Sequence, residues 1–282
     1  MSSLKEIKNR IVSIQSTQKI TSAMKQIASA KLHQAQSHTG HTVAYAQQLS
    51  ELLRALIAAT TNSASPLTEE RPVKCVAIVA CASDTGLCGS FNANVWKRVA
   101  SRIETYQQQG VEVRLFPIGR KLVNELQKAG YATESATIST APTYEEAASF
   151  AEQLIAHFLQ GKVDRVELLY HHFKNSASQP LMEQTFLPLT LPPAAETTGQ
   201  TLLEPSAEEL LALLLPRWLK FSLYAALLDA STAEHAARMI AMQIASDNAN
   251  ELLQTLTHQY NKSRQQAITN ELLDIVGGSV NN

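Results

Sequence analysis

Residues Ser83–Asn92 read SDTGLCGSFN and lie between an apolar run and a helix-favouring stretch. Loops in that position cradle phosphate in many α/β proteins, because backbone N–H groups at a helix start point at the ligand. The glycines do not fit a dinucleotide loop, however, since only Gly86 and Gly89 are present, and no GK[ST] follows. The plainer reading is a tight strand-to-helix connection with Asn92 or Ser90 as the helix cap. A nucleophilic trio can be drawn from Ser83, His171 and Asp84, yet no G-x-S-x-G elbow surrounds the serine. His171 and His172 are neighbours on an expected strand and face opposite ways, so they do not share a metal. Cys75, Cys81 and Cys88 form no C-x-x-C pair and have no histidine at zinc-ligand spacing. They read as buried thiols in a reducing compartment. The expectation is therefore no catalytic residue, no cofactor site and no metal site.

What remains is contact chemistry at the two ends. Near the C-terminus, Tyr260–Gln265 (YNKSRQ) and Ile268–Gly278 (ITNELLDIVGG) place Arg264, Gln265 and Thr269 close together on a helix. On a lone helix these are a solvated face; at the end of a shaft they offer directional hydrogen bonds. Near the N-terminus, Lys5, Lys8, Arg10, Lys19, Lys25 and Lys31 stand against Glu6 alone within the first 35 residues. From Glu234 onward acids outnumber bases, so the ends have opposite sign and favour pairing. The whole chain has a net charge of -1, which indicates no nucleic-acid partner.

Long helices must position these groups. Residues 3–60 contain no proline, and Gly40 is their only glycine. Leu4, Ile7, Ile11 and Ile14 step by threes and fours, as a coiled-coil seam does. The apolar pattern then drifts through Ile20, Met24, Ile27, Ala28, Leu32 and Ala35, which suggests a loosely wound pair. Such a helix is a rod of about 80 Å. Thr60–Pro72 reads as a linker. Strands are expected at Val73–Ala80, Val111–Ile118, Val163–Phe173 and Met182–Leu191, with helices at Phe91–Gln109, Arg120–Ala129 and Tyr144–Leu159. That alternation predicts an α/β layer with a mostly parallel sheet. Helical pattern resumes at Ser206, where Pro216 is expected to kink the helix or break off a leading turn. Ile244, Ala245, Ala249, Leu252, Leu256, Tyr260, Ala267, Ile268, Leu272 and Ile275 give its stripe. Neither helix is stable exposed and alone. The fold class is thus α/β plus a long antiparallel coiled coil. Its helices, in segments 1–60 and 206–282, pair with each other around a central Rossmann-like domain at 73–193. The N-terminus lacks an apolar signal core, and no run of about 18 apolar residues occurs.

Four segments carry a likeness to a known family: Leu4–Ala30 (LKEIKNRIVSIQSTQKITSAMKQIASA), Ser83–Asn92, Glu234–Ala249 (EHAARMIAMQIASDNA) and Tyr260–Gly278. Through them the sequence resembles the gamma subunits of F-type ATP synthases over essentially its whole length. Thr85 stands where that family usually has Arg or Lys, and Ser279 where it usually has Ala. The redox insertion of chloroplast members is absent, so thiol control of that type is not expected. The resemblance implies a non-catalytic central rotor stalk of a proton-translocating rotary ATPase. Its coil enters a hexamer of alternating alpha and beta subunits, and its α/β domain sits with the epsilon subunit on the c-subunit ring. The resemblance further implies that Met24 faces an acidic lever of the beta subunit. It implies too that Arg264, Gln265 and Thr269 hydrogen-bond a beta loop in one rotary state. Lys8, Arg10, Lys19, Lys25 and Lys31 then suit acidic loops of the hexamer. The implied location is the cytoplasmic face of the bacterial inner membrane, peripheral, with the membrane reached only through partners. A static coiled-coil scaffold and a nucleotide-binding α/β enzyme are the other classes the residues leave open.

Overall fold

The computed structural model describes residues 4–59, 65–134, 138–190, 204 and 206–280. In chain order the elements are α1 (Leu4–Ala59), β1 (Cys75–Cys81), α2 (Phe91–Gln108), β2 (Glu112–Ile118) and α3 (Arg120–Lys128). There follow α4 (Tyr144–Leu159), β3 (Arg165–His171), β4 (Leu181–Leu187) and α5 (Ala207–Val280). The chain forms two compact units, one from Met1–Ala28 with Met239–Asn282 and one from Ser29–Arg238.

The larger unit is built on a four-stranded sheet in the order β2-β1-β3-β4. β1 pairs in parallel with β2 and β3, and β4 closes the edge antiparallel to β3. β1 (CVAIVAC) is buried along its whole length because both of its faces are covered. Cys75, Ala77, Val79 and Cys81 join a core with α4, the start of α5 and Leu53 and Leu56 of α1. Val76, Ile78 and Ala80 alternate to the other face, against Val95, Val99 and Ile103 of α2 and Leu122 and Leu126 of α3. α4 begins with a capping box in which Thr143 Oγ1 accepts from Glu146 N and Glu146 returns the bond.

Pro216 does not break α5, which is helical from Ala207 onward. Leu211, Leu215, Leu219 and Leu223, four residues apart, are buried before and after it. Packing of that stripe outweighs the missing N–H. A window of the 207–273 stretch reaches mean hydropathy 1.4, enough by length and composition to cross a membrane. Leu211, Leu215, Leu219, Leu223 and Leu227 of that stretch lie in the α/β core, as in a core helix, while Leu213 is exposed.

In the smaller unit α1 and α5 run antiparallel. Thr21 bonds Ser246, and three residues earlier Gln18 bonds Asn250, so α5 descends as α1 ascends. The seam of α1 does not drift. Leu4, Ile7, Ile11, Ile14, Gln18, Thr21, Lys25 and Ala28 are the inward positions, at strict heptad spacing. Ile20, Met24 and Ile27, expected on the seam, point outward with 58%, 38% and 58% exposure. On α5 the inward set is Met242, Ser246, Ala249, Leu253, Leu256, Tyr260 and Ser263. Ile244, Leu252, Ile268 and Leu272, also expected there, are exposed. The side chain of Ile275 lies outside the described residues. Between Gln18 and Ala28 the α1 side of the seam is polar or small, whereas Leu4, Ile7, Ile11 and Ile14 make its earlier part apolar.

Gly119 joins β2 to α3 with φ +96°, and a Cβ there would lie 2.2 Å from the Ala82 carbonyl oxygen. Gly119→Ala is therefore expected to destabilise the protein by about 2–4 kcal/mol. Urea unfolding of the variant checks this, and an unchanged midpoint would refute it.

Candidate partner interface

The residues that suggested catalysis are occupied with internal contacts. Ser83 Oγ donates to the Thr85 carbonyl at 2.6 Å, and its backbone N–H donates to Asn92 Oδ1 at 3.0 Å. Asn92 Nδ2 returns a bond to Ser83 Oγ at 2.7 Å. Asn92 thus ties the loop to the end of β1 and does not cap α2. Ser90 holds the N-cap position without a side-chain cap bond. Asp84 accepts from Arg120 N and from Thr140 Oγ1, both at 3.0 Å. His171 is buried, stacked on Phe91, with ring nitrogens facing the carbonyls of Gln179 at 2.7 Å and Phe91 at 3.2 Å. Burial pushes its pKa below the ordinary value, against the pull of the two carbonyls. No hydrogen bond among the described residues joins Ser83 to His171, so no relay is assembled. His172, just past the end of β3, bonds Asp229 at 2.6 Å.

The three cysteines are buried and free. Burial raises the Cys81 thiol to about 12, which makes it a poor nucleophile. Among the described residues, no group of three or more His, Cys, Asp or Glu is placed to hold a metal.

The contact residues lie where a partner can reach them. Lys8, Arg10, Lys19 and Met24 are exposed on α1, and Lys25 is half-buried at the seam edge. Arg10 sits 3.5 Å from Glu6 one turn back, a weak surface pair. Met24 does not stand alone, since Ile20 and Ile27 flank it on one outward face with Lys19 beside them. The sequence reading missed that face because it assigned its isoleucines to the seam.

On α5, Arg264, Gln265 and Thr269 are exposed, as is every residue from Arg264 to Leu273. The register of the two polar pairs explains this, for it sets Leu4 level with Arg264. No described part of α1 lies beside α5 past that point. Thr269 Oγ1 donates to the Gln265 carbonyl of its own helix at 2.9 Å, leaving its lone pairs outward.

A second group escaped the sequence reading altogether. In the larger unit a cleft of about 760 Å³ is lined by Lys31, Arg120, Glu234, His235 and Arg238, among others. Glu234 is buried and bonds Arg238 Nη1 at 2.6 Å. Arg238 Nη2 donates to Thr85 Oγ1 at 2.9 Å. The signal was present as an i, i+4 Glu–Arg pair on a helix.

The chain matches the protein family described as ATP synthase over residues 3–280. It is 58% identical to the ATP synthase gamma chain of Parabacteroides distasonis, covering 99% of each chain. It is 46% identical to the ATP synthase gamma chain of Bacteroides thetaiotaomicron, covering 99% of this chain and all of that one. Among solved structures it resembles a chain from the central stalk and c-ring of the Tetrahymena thermophila mitochondrial ATP synthase. That match has TM-score 0.58 and 26% identity and covers 80% of this chain and 99% of the other. A chain of the Euglena gracilis mitochondrial ATP synthase shares the fold with TM-score 0.67 at 19% identity, over 98% of this chain and 93% of that one.

Burial, with Arg238 and Lys31 nearby, lowers His235 from 6.5 to about 4. The folded protein keeps this imidazole neutral while the unfolded chain takes up a proton. Its contribution is therefore complete above pH 6.5 and lost as pH falls toward 4. Burial shifts Glu234 upward and works in the opposite direction as acid is added. Thermal unfolding of His235→Gln between pH 7 and 4.5 should show a shallower loss of Tm than the parent; parallel curves would refute the assignment.

Proposed function

We propose, from the premise that the chain belongs to the ATP synthase gamma-chain family and is the central rotor stalk of that complex, that it transmits torque through the outward faces of its α1–α5 coil. The chain is a non-catalytic subunit, and its residues act by contact. The carrying observation is the outward set Ile20, Met24 and Ile27, on a helix that keeps Gln18 and Thr21 inside. Exposed apolar residues in a row mark a surface meant for a partner.

In this reading the coil turns inside a hexamer of alpha and beta subunits. Met24 and its neighbours meet an acidic lever of beta, and Lys8, Arg10, Lys19 and Lys25 attract acidic loops of the hexamer. Arg264, Gln265 and Thr269, on the part of α5 that runs past the coil, hydrogen-bond a beta loop in one rotary state. Each exposed pair contributes a fraction of a kcal/mol to about 1 kcal/mol. That weakness suits a turning part, because a strong contact would hold one angle. The α/β unit, with an epsilon subunit, rests on the c-subunit ring, so the membrane is reached only through partners. The location is the cytoplasmic face of the bacterial inner membrane; bacterial relatives support it.

Met24→Lys is expected to lower the ATP made per ion translocated while the complex still assembles, since a cation beside an acidic lever binds one angle too tightly. An unchanged yield would count against this face. Arg264→Ala combined with Gln265→Ala should slow turnover of the assembled complex, and normal rates with normal assembly would remove the tip contact. A reversible disulfide between coil and hexamer separates a rotor from a static scaffold. A rotor loses activity until the bond is reduced, whereas a scaffold is indifferent.

A further inference from the structure

The seam of the coil decides which way every other residue of α1 and α5 faces. On α1, Leu4, Ile11, Gln18 and Lys25 hold the first position of a heptad, and Ile7, Ile14, Thr21 and Ala28 the fourth. Met24 then holds a seventh position, and Ile20 and Ile27 hold third positions. On α5, Ser246, Leu253 and Tyr260 hold the first position, and Met242, Ala249 and Leu256 the fourth. Leu252, which is 53% exposed, is a seventh-position residue. Seen down the axis, antiparallel helices wind in opposite senses. Seventh positions of both helices therefore fall on one side of the seam, and fifth positions on the other. Leu252 is on the side of Met24.

The Thr21–Ser246 and Gln18–Asn250 pairs set Leu252 level with Gln15 and Ser16 of α1. Its neighbour across the seam is Thr17, whose hydroxyl is spent on the Ser13 carbonyl at 3.1 Å. Ile20 follows about 7 Å along the axis and Met24 about 13 Å. On this flank α1 presents Ser13, Thr17, Ile20, Met24 and Ile27, and α5 presents Ala245, Asn248, Leu252 and Thr255. None of them is charged. Lys19, next to Ile20 in sequence, already turns toward the other flank, as does Asp247; Glu251 is on the back of α5 and Lys25 at the seam. Fifth positions on the other flank are Gln15, Ser22, Gln243, Asn250 and Thr257, all polar. Val12 and Ile244 are exposed singly elsewhere, as is ordinary. A flank without charge gives up its water to an apolar partner without stripping an ion.

We infer that α5 completes the contact face begun by α1. Leu252, with Ile20, Met24 and Ile27, forms one uncharged flank of the coil that takes aliphatic side chains of the surrounding hexamer. The lever touches this flank through its aliphatic groups, and its carboxylates are left to cations off the flank. The inference rests on the reading that Met24 faces the hexamer; the sidedness is a property of the chain.

The test uses the chain assembled with the hexamer of its complex, at rest. A photoreactive diazirine side chain is placed at Met24, at Leu252 or at Gln254, which lies two residues on and about 200° around α5. Adducts from Met24 and Leu252 are expected on one segment of one subunit, and those from Gln254 elsewhere. An adduct from Met24 with none from Leu252, or with one on a different segment, overturns the shared flank and leaves the Met24 reading standing. No hexamer adduct from Met24 removes that reading and the inference with it. Leu252→Asp is expected to slow turnover of the complex about threefold or more, since a carboxylate is then dehydrated against aliphatic groups. Leu252→Met should keep the parent rate. The isolated full chain should unfold at the parent Tm in both variants, because Leu252 is exposed. Parent turnover in Leu252→Asp, or a slowed rate with a matching fall in Tm, overturns the proposal.

Discussion

The buried hydroxyl pair of Thr21 and Ser246, 2.8 Å apart, occupies a place that a pair of aliphatic side chains would fill with more stabilisation. A satisfied hydrogen bond of this type contributes about 0.5–1.5 kcal/mol net. Burying an isoleucine or methionine in full contributes about 1.5–3 kcal/mol, and three such side chains lie outward within the same turns. The coil therefore gives up stability along this stretch. Elsewhere α1 puts Ile7, Ile11 and Ile14 inward, so the chain is able to build an ordinary seam and departs from it locally. Such a departure is expected where a surface must serve something other than folding. The same pair sets the antiparallel register, which brings the start of α1 level with Arg264 and leaves Arg264–Leu273 exposed.

The α/β unit obeys the opposite rule. Its loop after β1 carries a serine, an aspartate, a cysteine and an asparagine, and every one is spent on internal geometry. Ser83 holds Thr85 and Asn92, Asp84 holds Arg120 and Thr140, and Cys88 is buried against the loop. Leu87 stands among them in the left-handed region at φ 65° with its side chain exposed. Left-handed backbone at a non-glycine residue is kept where the surroundings enforce it, often at a contact site. The loop is internally bonded and carries an exposed apolar tip.

Much of the fold was legible in the sequence. α4 begins at Tyr144 and ends at Leu159, as its periodicity indicates, because Thr143 with Glu146 makes an unambiguous start. β1 was legible because an unbroken apolar run bounded by polar residues suits a doubly covered strand. The coil's phase was not legible, and the reason is physical. Periodicity ranks positions by hydrophobicity, and at Ile20, Met24 and Ile27 the most hydrophobic positions are the ones facing outward. Leu252 misled for the same reason, as its neighbour Leu253 is the inward one. Pro216 misled because propensity is local, whereas the leucine ladder that holds α5 around it is tertiary. The Glu234–Arg238–Thr85 cluster joins residues 153 positions apart, and no spacing rule reaches across a fold.

A shaft that turns against its housing has to be stiff along its own axis and indifferent toward its surroundings. The two demands compete for the same helix faces, since stiffness calls for apolar bulk in the seam and contact calls for apolar bulk outside it. Small residues resolve the competition. Ala28, Ser246 and Ala249 are buried there with little bulk, while Ile7 and Met242 supply apolar bulk elsewhere in the seam. Ile20, Met24 and Ile27 face outward beside them. On the far part of α5, Thr269 already donates its proton to the Gln265 carbonyl. Arg264 and Gln265 remain as the exposed donors of that trio, and in the proposed contact two such donors would form a catch weak enough to release.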